Sequence, residues 1–198
     1  MEVTPGPAEP KAIETLYKGH RFRSRLEARW AVFFDSLGVR WEYEKEGFTF
    51  NGSGAYLPDF WLPDLEYWVE IKGKTPLPIE EAKLSALAIE TGFRSFLFYG
   101  DIPEAPIEET TYSAVCCYPN GAQDSQYVWC QCPHCGQLGI EFNGRSDRLP
   151  CHDIKHCPRS KHGDKGYNSN SKRLLAAYTA ARSARFEHGE KGAANGLG

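Results

Sequence analysis

The sequence predicts an α/β fold: a small mixed central sheet flanked by helices, with a small zinc-bound module and a C-terminal helix attached. Three observations predict it. An amphipathic helix over residues 24–37 is followed by two apolar strands around a Pro-Asp turn, at residues 56–72. A second helix and a short apolar run at residues 94–99 come next. A tight turn joins antiparallel strands, whereas a strand reached through a helix can return parallel, so the sheet is mixed. Five of the seven Cys lie between Cys130 and Cys157, in a stretch of little apolar pattern that needs a staple.

Residues 1–11 hold three Pro and one Gly and read as a disordered tail. Ser24 is an N-cap, and Glu27 three residues on completes a capping-box pattern. Leu26, Trp30, Phe33, Phe34 and Leu37 recur at helical spacing, and Gly38 ends the helix. Residues 39–50 read as strand, with Glu42, Glu44 and Glu46 as a solvated stripe, and a Gly-rich turn follows at residues 51–54. Pro76 and Pro78 precede a helix over residues 79–91, which Gly92 stops. The run at residues 94–99 is expected as a buried parallel strand. Residues 101–111 are an acidic, Pro-rich linker, and residues 112–118 add an edge strand, with Cys116 and Cys117 as apolar core residues. These readings divide the chain into a core domain over residues 12–118, a metal-binding module with its terminal helix over 119–189, and a Gly- and Ala-rich tail over 190–198.

The chemistry centres on Pro58-Asp59 and Glu70-Ile71-Lys72. Glu70 and Lys72 share one face of a strand, and a turn near Asp64 and Leu65 places Asp59 opposite Glu70. Both acids sit in apolar surroundings, where an unpartnered charge is costly. Two carboxylates can hold Mg2+ or Mn2+, a hard ion that prefers oxygen ligands. Such an ion polarises a phosphate and acidifies a bound water. The lysine can orient that water or stabilise charge on the phosphate. Gly73 leaves backbone room for a bulky ligand.

This pattern resembles the PD-(D/E)XK nuclease superfamily, the restriction-endonuclease-like fold, over about residues 13–100. The run Arg-Ser-Arg-Leu-Glu-Ala-Arg-Trp at residues 23–30 also looks like bacteriophage and bacterial members, and like transposon-end-cleaving nucleases. The resemblance implies a metal-dependent deoxyribonuclease that leaves 5′-phosphate ends. Asp59 and Glu70 would bind the catalytic ion, Lys72 would act beside it, and the Ile71 carbonyl would face the ion. It carries Glu27 over as a third acid from the preceding helix, with the plain capping role as the alternative and Glu44 as the substitute acid. The same reading keeps two rivals open: a nuclease-like scaffold that binds nucleic acid without cutting, and a strand-cleaving subunit of a transposase or recombination complex.

Cys132 and Cys135 form a C-x2-C-G knuckle whose thiolates reach one tetrahedral Zn2+, and Cys151 and Cys157 complete a closed structural site. The wide spacing of the second pair leaves Cys130, His152 and His156 as alternatives.

The formal net charge is −3, yet it is unevenly spread. Residues 144–198 carry eleven Lys and Arg against five acids, and residues 17–29 carry five bases and one acid. Arg21, Arg23, Arg25 and Arg29 can contact phosphates, or serve as local ion pairs. In the helix over residues 172–186, Tyr178, Arg182 and Arg185 either meet nucleic acid or pack on the zinc module. The expected partner is DNA, with a homodimer or a recombination or replication complex possible. No apolar run reaches the roughly 20 residues that span a bilayer. The N-terminus has no signal-peptide pattern, so a cytoplasmic place, in a bacterium or a phage-infected cell, is expected.

Overall fold

A computed structural model describes residues 12–50, 54–103, 114–152 and 167–186. A two-stranded hairpin, β1 (Thr15–Tyr17) and β2 (His20–Phe22), leads into α1 (Arg25–Leu37). β3 (Glu42–Tyr43), β4 (Phe48–Phe50), β5 (Gly54–Tyr56), β6 (Phe60–Leu62) and β7 (Tyr67–Lys72) follow. Then come α2 (Pro78–Thr91), β8 (Arg94–Tyr99), β9 (Ala114–Cys117), β10 (Gln123–Gln131), β11 (Leu138–Phe142) and α3 (Lys172–Ser183). Seven strands form one mixed sheet in the order β11-β10-β9-β8-β7-β6-β3. β7 and β8 pair parallel, as the intervening helix allows, and the other pairs are antiparallel. The expected α/β class with a mixed sheet flanked by helices is therefore present.

Local chemistry sets the helix ends. The Ser24 hydroxyl accepts from the Glu27 N–H at 3.2 Å, and Gly38 adopts φ 65° beyond the last turn. Alternation along the strands then sorts the core into two layers. Trp30, Phe33, Phe34 and Leu37 of α1 pack with Phe60, Val69, Ile71, Phe96, Trp129 and Ile140 of the sheet, and with Leu174, Ala177 and Tyr178 of α3. On the other face, Leu84, Leu87 and Ala88 of α2 cover Leu97, Cys117, Trp61 and Trp68.

Four expectations change. The strand expected over residues 39–50 breaks in two. Glu44 takes φ 46°, a left-handed conformation that ends β3, and β4 leaves to pair with β5 in a separate hairpin. The strand expected at the sheet edge is internal, because β10 pairs with β9 on its far side. The boundary expected between residues 118 and 119 falls between these two hydrogen-bonded strands, so β10 and β11 extend the central sheet. Tyr178 is a core residue, its ring tilted against Phe33 at 4.6 Å between centroids, and cannot meet a nucleic acid. α3 packs chiefly on α1 and also meets β10, and Arg173 donates to the Leu37 carbonyl at the end of α1. Most of the linker expected over residues 101–111, and both expected tails, lie outside the described residues.

Candidate functional site

The β6–β7 hairpin sets the first pair of acids. Phe60 faces Val69 and Leu62 faces Tyr67, so one step further along the register Asp59 lies against Glu70. The turn needs a left-handed residue, which Glu66 supplies at φ 56°. Contacts hold the pair together. The Asp59 N–H donates to Glu70 Oε2 at 3.3 Å, and the Ile71 N–H donates to Asp59 Oδ2 at 2.8 Å. Asp59 is 3% exposed and Glu70 4%. Lys72 lies on the same strand face as Glu70, with Nζ 2.7 Å from Glu70 Oε1 and 3.5 Å from Glu80 Oε1 at the start of α2.

Glu27 enters from the first turn of α1 and is also buried. Its carboxylate accepts from the Ser24 hydroxyl at 2.6 Å, the Tyr43 hydroxyl at 2.6 Å and the Arg23 N–H at 3.2 Å. The carboxylate is thus held at the start of α1, and its charge also reaches Asp59. Arg23 bridges the elements, with Nη2 3.1 Å from Asp59 Oδ1 and Nε 2.6 Å from Glu44 Oε1. Glu44 thus joins the site through Arg23.

Burial pushes the Asp59 carboxyl well above its ordinary range, and the charges of Glu70 and then Glu27 push it further. The Ile71 N–H and Lys72 only partly oppose this. For Lys72, burial favours the neutral amine, but Glu70, Asp59 and Glu80 outweigh it and the net shift is upward. Lys72 is thus an ammonium, suited to holding negative charge and unsuited to act as a base. Burial, with Glu70 and Asp59 nearby, also keeps the Tyr56 phenol protonated, and its hydroxyl donates to Glu70 Oε2 at 3.0 Å.

Tyr56, Tyr43 and the bridging role of Arg23 were not legible in the sequence. Each acts across separations of 14 to 36 residues, for which spacing gives no signal. Among the other arginines, Arg21 is exposed and paired with Glu14 at 3.2 Å. Arg25 is half-buried in the first turn of α1. Arg182 donates to the Pro103 carbonyl, and Arg185 is exposed beyond α3.

A second cluster lies at the far end of the sheet. Cys132 and Cys135 occupy the turn between β10 and β11, where the Cys132 N–H donates to the Gln137 carbonyl at 2.8 Å and the Gly136 N–H to the Cys132 carbonyl at 2.9 Å. Gly136 at φ 78° permits the turn. A 3-10 turn over Pro150–His152 brings in Cys151. The sulfurs of Cys132, Cys135 and Cys151 lie within 4.8 Å of one another, so the cluster could hold a metal such as zinc. Among the described residues this is the one set of three or more Cys, His, Asp or Glu ligand atoms so close together; the three acids are spread more widely. Cys130 is buried beside this cluster but is not a member of the set. Cys157 and His156 lie outside the described residues. Leu149 seals the cluster by lying on Gly139, where an added Cβ would stand 2.3 Å from Leu149 Cδ2. Gly139→Ala is therefore expected to lift Leu149 and cost about 1–3 kcal/mol. A thermal melt checks this, and an unchanged midpoint would mean that Leu149 gives way freely.

No helix among the described residues is long and apolar enough to cross a membrane. No family model, curated protein or solved structure matches the chain, so its functional reading rests on these residues alone.

Proposed function

We propose that the protein is a divalent-metal-dependent deoxyribonuclease on a restriction-endonuclease-like core, stapled by one structural zinc ion. One observation carries the reading. Asp59 and Glu70 face each other, buried, across the register of one hairpin, with Lys72 on Glu70 and the charge of Glu27 reaching Asp59. Burying like charges together is unfavourable, and a divalent cation offsets that cost better than any side chain. The donor set, carboxylate oxygens only, suits Mg2+ or Mn2+. Asp59 and Glu70 would hold the ion, with Glu27 assisting. When bound, the ion supplies Lewis acidity to the phosphate and lowers the pKa of a coordinated water.

The chain's own groups do the rest. Lys72 holds its ammonium where negative charge builds on the scissile phosphate. Tyr56 and the Asp59 N–H fix the Glu70 carboxylate, while Tyr43 and Ser24 fix Glu27. Arg23 has a side chain 57% exposed, so its guanidinium can exchange Asp59 for a strand phosphate when the substrate arrives.

For the zinc, tetrahedral bonds of about 2.3 Å place thiolates roughly 3.8 Å apart, within the spread of Cys132, Cys135 and Cys151. Cys157 is the fourth ligand in this reading. Four protein ligands leave no open position, so the zinc is structural.

The test is cleavage of linear duplex, single-stranded and four-way-junction DNA with Mg2+ or Mn2+, comparing the natural protein with Glu70→Gln. Cutting that needs the metal and is lost in the variant is the expected result. Binding of these substrates with no cutting of any would replace the nuclease by a nucleic-acid-binding scaffold.

A further inference from the structure

An open cleft of about 550 Å3 lies between the β1–β2 hairpin, the end of α1 and the segment leading into β3. Its walls include Lys18, His20, Asp35, Arg40, Trp41 and Glu42. The size suits a small organic ligand. The chemistry of the walls is more specific. Trp41 is half-buried and held from below: its ring packs on Phe22 and Phe60, and its indole N–H donates to Asp35 Oδ1 at 3.2 Å. His20 meets it edge-on at 4.9 Å. Two cations stand at the rim. Lys18 is lifted there by a tight turn, at φ 48° with Gly19 at φ 81°. Its side chain is 58% exposed and lies 3.0 Å from Asp35. Arg40 is 72% exposed and paired with Asp64. Exposed pairs of this kind are weak and can be exchanged for a phosphate.

Two strands run from this cleft directly into the acid cluster. β2 begins at His20 and leads to Arg23, which holds Asp59. Trp41 leads through β3 to Tyr43, which holds Glu27, and to Glu44, which holds Arg23. Three extended residues span roughly 10 Å, which is comparable with a few nucleotides of backbone.

We propose that this cleft takes one unstacked nucleotide of a single-stranded or frayed DNA strand engaged at the acid cluster, its base against Trp41 and His20 and its phosphate between Lys18 and Arg40. Aromatic side chains stack on any base that has left the helix, and exposed cations follow the backbone. The intact duplex hides its bases from such a platform. This inference rests on the nuclease reading and narrows it to substrates with an unpaired strand.

The experiment separates the two. Binding of a short fluorescein-labelled oligothymidylate, and of a blunt duplex of equal length, is measured by anisotropy in chelator, where nothing is cut. The natural protein is expected to prefer the single strand. Lys18→Glu and Arg40→Glu are each expected to weaken that binding roughly 3- to 10-fold and to flatten its salt dependence. Lys83→Glu on α2, away from the cleft, should leave binding unchanged, and Trp41→Phe, which keeps an aromatic ring, should retain most of it. Equal affinity for both probes, or full binding by the Lys18→Glu and Arg40→Glu double variant, overturns the cleft assignment whatever the cleavage assay shows. A cleft that binds single strands in a protein that cuts nothing would remove the nuclease reading and leave the cleft standing.

Discussion

Asp59→Asn is expected to reduce metal-dependent cleavage on the order of 10³-fold while raising the thermal stability of the metal-free protein. Both effects come from one charge. The amide keeps the shape of the side chain, and its oxygen can still accept the Ile71 N–H that now reaches Asp59 Oδ2 at 2.8 Å. It cannot offer a negative oxygen to a cation. The stability gain follows from the raised carboxyl of Asp59, caused by burial and by Glu70 and Glu27. A carboxyl whose folded pKa lies above its unfolded value contributes its stability at low pH and loses it as pH rises through the folded value. The natural protein is therefore penalised most at neutral and alkaline pH. There the variant should gain roughly 1–3 kcal/mol, with each kcal/mol raising the midpoint about 2–4 °C for a chain of this size. The gain should shrink as pH falls and Asp59 takes up its proton. The lost pair with Arg23 subtracts little, because that guanidinium is largely exposed and keeps Glu44. Melts in chelator at mildly alkaline and mildly acidic pH, together with cleavage rates, test this. A variant that cuts at the natural rate, or melts lower at alkaline pH, would overturn it.

The second large effect concerns the sulfur cluster. The protein isolated without chelator is expected to carry one zinc per chain, and the Cys132→Ser, Cys135→Ser double variant to carry none. Burial, with Cys135 and Cys132 close by, pushes the Cys151 thiol upward in the absence of an ion. Three sulfurs converging there gain far more from an ion than from one another's hydrogens. Zinc binding supplies folding free energy directly in small metal-stapled units, on the order of 10 kcal/mol. Here only part of that is at stake, since β10 and β11 also pair in the sheet. A fall of about 10 °C in the midpoint corresponds to the loss of ~3 kcal/mol or more. Metal analysis and melts check it, with Cys116→Ser as a control buried in the main core. A double variant that keeps its zinc would falsify the ligand assignment.

The acid pair was legible because the hairpin is local. Asp59 and Glu70 are joined by a short turn, and a two-residue period fixes which side chains meet. The cap at Ser24 and the stop at Gly38 were legible for the same reason. The convergence of Cys132 and Cys135 was legible in the Cys-x2-Cys knuckle, since its geometry is contained in four residues. What hid was long-range. The internal position of β9 depends on β10, whose pairing shifts at a bulge between Asp124 and Tyr127, with Gln126 at φ 68°. No apolar period survives such a break. Tyr178 carried an amphipathic signal that two arginines made look like a nucleic-acid surface. Only the docking of α3 on α1 shows that its ring belongs to the core.

The central sheet runs unbroken from the acids at β6 and β7 to the sulfurs beyond β10. The composition change near residue 118 invites the chain to be cut there into a catalytic piece and an accessory piece. Such a cut would strip β10, and β11 with it, from β9 and leave the hydrogen-bonding groups of β9 open as an unpaired edge. It would also uncover the packing surface that Trp129, Tyr127 and Ile140 share with α1 and α3. Evolution could shuffle this Cys-rich hairpin between proteins only by carrying part of the host's sheet along with it. The acid cluster and the sulfur cluster of this chain are thus inherited as one folding unit.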